Sequence, residues 1–372
     1  MSEADPAHEP FMRRAIELAR KAWGETHPNP MVGALIVEGG RVVAEGWHRA
    51  AGRPHAEVEA LRALGRAPSA EATLYVTLEP CSTCGRTGAC TDAILESGIR
   101  RVVVGASDPN PAHAGRGLEI LREGGLDLCA GVLAEECADL NLIFNHWITR
   151  GEPLFAFKIA TTLDGKFAAA SGHSRWVTGE AARADVMRWR RYFPAIAVSG
   201  RTVLADNPAL TSRADRAPWC PRRFVLDREL KTLERPTELQ VYTDPFRERT
   251  TVVHAAEAPA DRLAALADSG LASWVLPAGP GGIDLAAFRR RCAEEAICGV
   301  YFEPGPRLAG ALIEGGQADY AFVYQAPKFL ADSDARGIGR PRASRLMSEA
   351  FALSELRREA FGPDQLTRGY LK

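Results

Sequence analysis

The first part of the chain alternates between apolar spacings typical of helices and apolar spacings typical of strands. Between Phe11 and Trp23, apolar residues recur every three or four positions, which predicts an amphipathic helix. Two apolar runs flank Gly39-Gly40 and predict a β-hairpin, because glycine tolerates the positive φ of a tight turn. The following segments are predicted to be helix, strand, helix, strand and two helices: HAEVEALRAL, ATLYVTL, CTDAILES, RVVVG, GRGLEILREGG and AEECADLNLIFNHWI. This alternation predicts an α/β sandwich around a mixed sheet.

A second α/β pattern begins after residues 149–153, whose sequence TRGEP contains the Gly and Pro typical of a linker. LFAFKIA and AIAVSG are predicted to be strands, and GEAARADVMRWRRYF between them is predicted to be a helix. Further strands are predicted over RFVLD, QVYT, TVVH, GVYFE and ADYAFVYQAP. We therefore expect two domains, covering residues 1–148 and 153–372.

Composition narrows the class of protein. The 372 residues include 46 basic and 47 acidic side chains, so the chain lacks the basic excess that nucleic-acid binding requires. No apolar run approaches the ~20 residues of a membrane span, and the acidic start MSEADPAHEP does not resemble a signal peptide. Three of the eight cysteines cluster, which favours metal binding or catalysis over disulfides. We expect a cytoplasmic protein.

Residues 55–90 contain the candidate chemistry. His55-Ala56-Glu57 is followed by a Pro-Cys pair at Cys81, and then by Cys84 and Cys90. One imidazole and two thiolates bind zinc with a fourth position open for water, whose pKa the metal lowers. A nearby Glu that is not a ligand can carry the proton from that water, and His-x-Glu with Pro-Cys-x-x-Cys is typical of zinc deaminases. Glu57 is thus the predicted catalytic residue, and both His55 and Cys81 are expected at helix N-termini.

The motif leaves two questions about the metal. The general deaminase spacing selects Cys84 as the third ligand, although Cys90 is also within the cluster. All four side chains together could instead form a closed structural zinc site, which would leave Glu57 without a role.

The motifs of the first domain resemble the deaminase domain of the bifunctional riboflavin-biosynthesis deaminase/reductase family. The similarity covers about residues 10–147 through HPNPMVGALIV, GRPHAEVEAL, TLEPCSTCGRTGACTDAI and RVVVGASDPNPAHAGRGLEIL. It implies a cytidine-deaminase-like α/β/α sandwich with zinc on His55, Cys81 and Cys90. It also implies that Asn29 and His48 approach the pyrimidine and that Arg86 suits the sugar phosphate. Thr83 and Gly88-Ala89 depart from the family's usual His and Pro-Pro, so substrate contacts there should differ.

The second domain lacks the Gly-x-Gly-x-x-Gly that often marks a dinucleotide site. Its segments FKIATTLDGKFAAASGHSRWVTGEAARADVMRWRR, TVLADNPALTSR, EPGPRLAGALIEGG and YQAPKFLADSDARG are instead similar to the reductase domain of the same family. The resemblance implies a dihydrofolate-reductase-like α/β fold. It assigns NADPH binding to Ala160, Trp176, Thr202, Asp206 and the stretch that begins at Gly305. It assigns substrate binding to Ser174, Arg190, Leu210, Arg213 and Glu303, and guanidinium groups suit a phosphate.

The resemblance implies two successive reactions on one metabolite. Zinc-dependent hydrolysis removes an amino group from 2,5-diamino-6-ribosylamino-4(3H)-pyrimidinone 5′-phosphate, and NADPH then reduces the ribosyl group to ribityl. We expect a homo-oligomer that binds Zn²⁺ and NADPH and contacts neither nucleic acid nor membrane. Pro304 stands where the family usually has Gly or Ala, and proline removes a backbone N–H, so an active deaminase with a weakened reductase is the alternative. A structural-zinc binding protein and a nucleic-acid deaminase are the remaining alternatives.

Overall fold

The fold is taken from a computed structural model, which describes residues 5–83, 88–111, 113–213, 217–280, 282–339, 344 and 346–372. The chain divides into two compact units, Met1–Gly151 and Glu152–Lys372. Among the described residues, no helix combines the length and the apolar character needed to cross a membrane.

The first unit is built on a mixed sheet of five described strands in the order β2-β1-β3-β4-β5. The strands are β1 (Gly33–Glu38), β2 (Arg41–Trp47), β3 (Thr73–Leu78), β4 (Arg101–Ala106) and β5 (Asp127–Ala130). β1 runs antiparallel to β2 and β3, whereas β3, β4 and β5 are parallel. The predicted hairpin forms, and Gly39 and Gly40 adopt φ values of 53° and 74° in its turn.

The helices of the first unit mostly follow the predicted pattern. They are α1 (Glu9–Arg20), α2 (Ala56–Leu64), α3 (Cys90–Ser97), α4 (Arg116–Glu123), α5 (Ala134–Asp139) and α6 (Leu142–Arg150). α2 lies very close to β2, because a Cβ atom at Gly46 would be 2.4 Å from the carbonyl oxygen of Ala56. Only glycine permits this approach, which fixes the N-terminus of α2 against the sheet.

Three local predictions for the first unit were wrong or incomplete. The single helix predicted over 134–148 is two helices, since the backbone of Asn141 departs from helical angles with φ of −113° and ψ of 32°. The side chain of Asn141 bonds both the N–H and the C=O of Met31 at 2.7 and 3.0 Å. Cys81 lies after β3 outside any described helix, and the next described helix begins at Cys90. β5 was not predicted, since its burial is partial and its pattern is weak.

The second unit contains a sheet of nine described strands in the order β10-β9-β8-β7-β13-β6-β14-β16-β15. Its strands are β6 (Leu154–Thr161), β7 (Ala195–Ser199), β8 (Arg222–Leu226), β9 (Thr250–His254), β10 (Ala272–Val275), β13 (Gly299–Phe302), β14 (Tyr320–Gln325), β15 (Leu353–Phe361) and β16 (Asp364–Leu371). In this spatial order, the first seven strands, from β10 at the edge to β14, pair in parallel. β16 pairs antiparallel with β14, and β15 and β16 form an antiparallel hairpin. A separate small ladder joins β11 (Ala278–Gly279) and β12 (Gly282–Ile283).

Helices and aromatic side chains complete the second unit. Its helices are α7 (Glu180–Tyr192), α8 (Gly200–Asp206), α9 (Gln240–Thr243), α10 (Ala260–Ser269), α11 (Leu285–Glu294) and α12 (Pro306–Glu314). The core on one side of the sheet includes Phe155, Phe224, Phe288 and Phe302 in edge-to-face or tilted contact. The segment QVYT was predicted as a strand but forms α9, where the carbonyl of Val241 accepts from the buried Arg223 at 2.9 Å instead of pairing with a strand.

Candidate active sites in the two units

Three potential zinc ligands come together in the first unit. Among the described residues, His55, Cys81 and Cys90 place their ligand atoms within 4.8 Å of one another. The Nδ1 atom of His55 lies 3.2 Å from the Sγ of Cys90 and 3.5 Å from the Sγ of Cys81. One imidazole nitrogen and two thiol sulfurs are the donor set that zinc accepts in catalytic sites with an open position. The residues present therefore fit a zinc ion.

Secondary structure explains how these ligands meet. His55 is the residue before α2, and Cys90 is the first residue of α3, so two helix N-termini converge on the site. Cys81 follows β3, and its sulfur accepts the backbone N–H of Cys90 at 3.4 Å. Partial positive charge at both helix N-termini stabilises thiolate there. Cys84 and Arg86, the alternative ligand and the predicted phosphate contact, lie outside the described residues.

The pKa values of the three groups diverge because they share hydrogen bonds. The hydrogen bond from the thiol of Cys90, helped by His55, lowers the pKa of Cys81. The same bond, together with burial, raises the pKa of Cys90, and the bond to Cys81 raises the pKa of His55. Cys81 is thus the first of the two thiols to carry the negative charge that a metal needs.

Glu57 lies beside this cluster in the first turn of α2. Its side chain is buried, at 3% exposure, and its Oε2 atom has no hydrogen-bond partner among the described residues. Burial raises the pKa of its carboxyl. A buried carboxyl with a free oxygen and a raised pKa can accept and return a proton near neutral pH.

Asn29 and His48 lie together beside the candidate ligands. The Nε2 of His48 is 3.2 Å from the amide nitrogen of Asn29, and its Nδ1 is 3.0 Å from the carbonyl oxygen of Pro54. Because that carbonyl can only accept, Nδ1 carries the proton and Nε2 accepts from Asn29 in the neutral ring. Burial lowers the pKa of His48, and its ring centre lies 5.3 Å from that of His55.

In the second unit, Thr202 and Gly305 meet at the carboxyl ends of neighbouring strands. Thr202 is in the first turn of α8 after β7, and Gly305 precedes α12 after β13. A Cβ atom at Gly305 would lie 3.5 Å from the Oγ1 of Thr202. Ligands of parallel sheets bind at this edge. Asp206 ends α8, and its carbonyl oxygen accepts from Arg175 at 2.8 Å.

The other two predicted cofactor residues lie on the loop before α7 and on β6. Trp176 is 65% exposed, with the guanidinium of Arg183 4.5 Å above its ring, so it is not a core aromatic. Ala160 is half-buried on β6, opposite Tyr324 of β14.

Arg190 and Glu303, both predicted substrate residues, form a buried ion pair with each other. The Nε and Nη2 of Arg190 donate to the two carboxylate oxygens of Glu303 at 2.5 and 2.9 Å, and Nη1 donates to the carbonyl of Thr211 at 3.0 Å. The exposed fractions of the two side chains are 12% and 14%. Burial opposes the charge of Glu303, but the guanidinium of Arg190 holds the pKa of that carboxyl below its ordinary value.

Lys158 was not among the predicted site residues. It stands on β6, one position beyond the Phe157–Phe302 pair, and therefore at the level of Glu303 on the adjacent strand. Burial lowers the pKa of its amine, while the charge of Glu303 opposes that shift. A single Lys within the apolar strand LFAFKIA was the signal in the sequence, since Lys is rarely buried without a partner.

The remaining predicted substrate residues lie on loops. Leu210 is buried with φ of 55°, and Arg213, three residues later, is exposed. The bond from Arg190 to the carbonyl of Thr211 attaches this loop to α7. Ser174 is half-buried in the segment between β6 and α7.

Comparisons with known proteins cover both units. Residues 5–106 match the family described as the cytidine and deoxycytidylate deaminase zinc-binding region, and residues 153–364 match the RibD C-terminal domain. The chain is 39% identical over 363 residues to the riboflavin biosynthesis protein RibD of Escherichia coli, covering 95% of this chain and 96% of that protein. It is 40% identical over 326 residues to RibD of Actinobacillus pleuropneumoniae, covering 88% and 85%.

Solved structures agree over nearly the whole length. Acinetobacter baumannii RibD superposes with a TM-score of 0.78 at 32% identity, covering 98% of this chain and 99% of that chain. The diaminohydroxyphosphoribosylaminopyrimidine deaminase/5-amino-6-(5-phosphoribosylamino)uracil reductase of Thermotoga maritima superposes with a TM-score of 0.76 at 32% identity, covering 98% of each chain. The predicted fold class is confirmed, and the chain belongs to the bifunctional riboflavin-biosynthesis deaminase/reductase family.

Proposed function

We propose that this enzyme deaminates 2,5-diamino-6-ribosylamino-4(3H)-pyrimidinone 5′-phosphate in its first unit and reduces the ribosyl group of the product in its second. The proposal rests mainly on one observation. One imidazole nitrogen and two thiol sulfurs lie close together, beside the buried carboxyl of Glu57, whose Oε2 has no partner among the described residues. The enzyme uses Zn²⁺ and NADPH for these reactions, as its two family matches require.

In the first unit, His55, Cys81 and Cys90 would hold the zinc ion. When bound there, zinc supplies an activated water for attack on the amino-bearing carbon. Glu57 accepts a proton at Oε2 and returns it to the departing ammonia, because no described group occupies that oxygen. This arrangement gives Glu57 a role that a closed structural zinc site would leave unexplained.

Asn29 and His48 would orient the pyrimidine. The neutral ring of His48 keeps the amide nitrogen of Asn29 as a donor at 3.2 Å, so the carbonyl oxygen of that amide remains available to the substrate. The pyrimidine would therefore meet a His48 ring held in a fixed orientation and a free amide oxygen of Asn29.

In the second unit, Thr202 and Gly305 would line the NADPH site, with Asp206, Ala160 and the exposed ring of Trp176 beside them. When bound, NADPH supplies the hydride that reduces the ribosyl carbon. Thr202 and Gly305 are close enough for a role in the same site, because a Cβ atom added at Gly305 would lie 3.5 Å from the Oγ1 of Thr202.

The phosphate of the substrate would contact Arg213 directly. Arg213 is exposed, whereas the Nε, Nη1 and Nη2 of Arg190 already donate hydrogen bonds to Glu303 and Thr211. Arg190 would therefore hold Glu303 in place, together with the loop that contains Leu210, Thr211 and Arg213. Ser174 and Leu210 would contribute to the same pocket from their loops.

The second candidate function is a deaminase with a weakened reductase. Pro304 is buried between Glu303 and Gly305, and it offers no N–H to a cofactor phosphate. Gly305 keeps its own N–H and lies next to the Oγ1 of Thr202, so we favour an active reductase.

Location, assembly and domain boundary complete the proposal. We place the enzyme in the cytoplasm, since all seven described cysteines are free thiols, as in a reducing compartment. We propose a homo-oligomer, because the edge strand β15 pairs on one side only among the described strands, and no nucleic-acid partner, because the net charge is −1. The deaminase and reductase would divide within residues 149–153, where the two compact units separate.

A direct test incubates the purified enzyme with the diaminopyrimidine phosphate, with and without NADPH, and measures product masses. We expect exchange of the amino group for oxygen without NADPH, and the further addition of two hydrogens with it. A chelator-treated sample should lose the first reaction but still reduce the deaminated intermediate. Absence of deamination by zinc-loaded enzyme would refute the proposal, and deamination without reduction would establish the second candidate.

A further inference from the structure

Glu79 is a buried carboxylate next to the candidate zinc site. It follows β3, precedes Pro80 and Cys81 directly, and is 4% exposed. Its hydrogen-bond partners among the described residues are backbone N–H groups. Oε2 accepts from Asp108 and Gly115 at 3.1 Å each, and Oε1 accepts from Gly117 at 2.9 Å. Such bonds to an ionised acceptor are stronger than neutral ones.

These bonds cap the N-terminus of α4. The residue before α4 is Gly115, which has no side chain to accept the free N–H groups of the first turn. Glu79 supplies the acceptor from another element, with a longer contact of 3.4 Å to the N–H of Leu118. Its negative charge also interacts favourably with the helix dipole. The start of α4 is therefore held by the residue that leads into the zinc loop.

The first turn of α4 lies directly against the peptide before Cys81. A Cβ atom at Gly117 would be only 2.2 Å from the carbonyl oxygen of Pro80, so the helix and the loop are in close contact. On its other side, the carbonyl of Cys81 accepts the N–H of Thr91 at 3.2 Å. The segment around Cys81 thus contacts α4 on one side and α3 on the other, and Glu79 bonds the start of α4.

We propose that Glu79 is a positioning residue that fixes Cys81 for zinc binding by anchoring α4 against Pro80. This inference rests on the proposed zinc site. Replacing Glu79 with Gln keeps the size but turns an NH₂ group toward backbone donors, leaving buried N–H groups unsatisfied. The start of α4 should then move away from Pro80, and Cys81 should lose one of its two supports.

The test compares E79Q with two further full-length variants. Gly117→Ala keeps the carboxylate but adds a methyl group that would lie 2.2 Å from the carbonyl oxygen of Pro80 and 3.2 Å from the Oε1 of Glu79, so it displaces α4 by crowding rather than by removing the acceptor. Glu119→Gln is the matched control, because Glu119 is an exposed carboxylate on the same helix. Zinc release into an excess of a coloured chelator gives the rate, and hydrogen exchange reports the amides of Asp108, Gly115 and Gly117.

We expect E79Q and G117A to release zinc about 10–100-fold faster than the wild type, the usual effect of losing an outer support of a metal ligand. E119Q should match the wild type. Amide exchange at the positions bonded to Glu79 should accelerate in E79Q, while reductase activity of the same chain stays unchanged. If the wild type binds no zinc, the proposed function fails. If it binds zinc and either variant releases it at the wild-type rate, or reductase activity falls in parallel, the role of Glu79 is refuted.

Discussion

Replacing Glu303 with leucine should destabilise the second unit more than replacing Arg190 with methionine. In the first case Arg190 and the half-buried Lys158 are left without a shared carboxylate, and the charge of Arg190 disfavours that of Lys158. In the second case Lys158 still compensates Glu303, whose pKa it already lowers. E303L should therefore lower stability more than R190M, because one carboxylate compensates two cations.

The magnitude follows from burial. Both side chains of the pair are less than one-seventh exposed and share bonds of 2.5 and 2.9 Å. Removing one member of such a pair costs about 3–5 kcal/mol, because the other charge stays buried without compensation. At about 2–4 °C per kcal/mol for a domain of this size, E303L should lower the Tm of the second unit by roughly 6–20 °C. R190M should fall near the lower end.

The double variant R190M/E303L separates charge from packing. It leaves Lys158 alone, and a buried amine can lose its proton, so about half or more of the E303L loss should be recovered. Calorimetry of all three variants gives the coupling, with the first unit's transition as an internal reference. If R190M is as damaging as E303L, or if the double variant is no more stable than E303L, the ion-pair reasoning is wrong.

Three further predictions concern the sites and pH. Glu57→Gln should retain zinc but lower deamination about 10²–10⁴-fold, since an amide cannot carry the proton; loss of zinc would instead make Glu57 a ligand. Cys81→Ser and Cys90→Ser should each lose bound zinc in metal analysis, whereas Cys129→Ser on β5 should not; retention by the Cys90 variant would move the ligand to another thiol. Because the pKa of Glu303 is lowered, its contribution to stability is present above pH ~4.3 and is lost as pH falls through the lowered value. Urea midpoints of the wild type should exceed those of E303L above that pH, and the gap between the two proteins should narrow only in acid.

Local patterns determined most of the elements. Apolar spacing predicted α1, the glycine pair predicted the first hairpin, and the apolar runs predicted most of the parallel strands of both sheets, although not β5 and β10. The motif His-x-Glu with its later cysteines identified the deaminase chemistry and the resemblance identified the reductase; the family comparisons confirm both. These features were readable because each depends on residues close together in the chain.

Long-range contacts decided the rest. The break between α5 and α6 falls at Asn141, which bonds Met31 110 positions away, and the carbonyl of Val241 in α9 accepts from the buried Arg223. Glu79 reads as one more acidic residue until α4 is placed against it, and its partners lie up to 39 positions away. Likewise, only the packing of α2 and α3 beside the loop after β3 shows that Cys81 and Cys90 meet one imidazole nitrogen. Such contacts join groups that are distant in sequence, so they leave no local spacing from which they could be predicted.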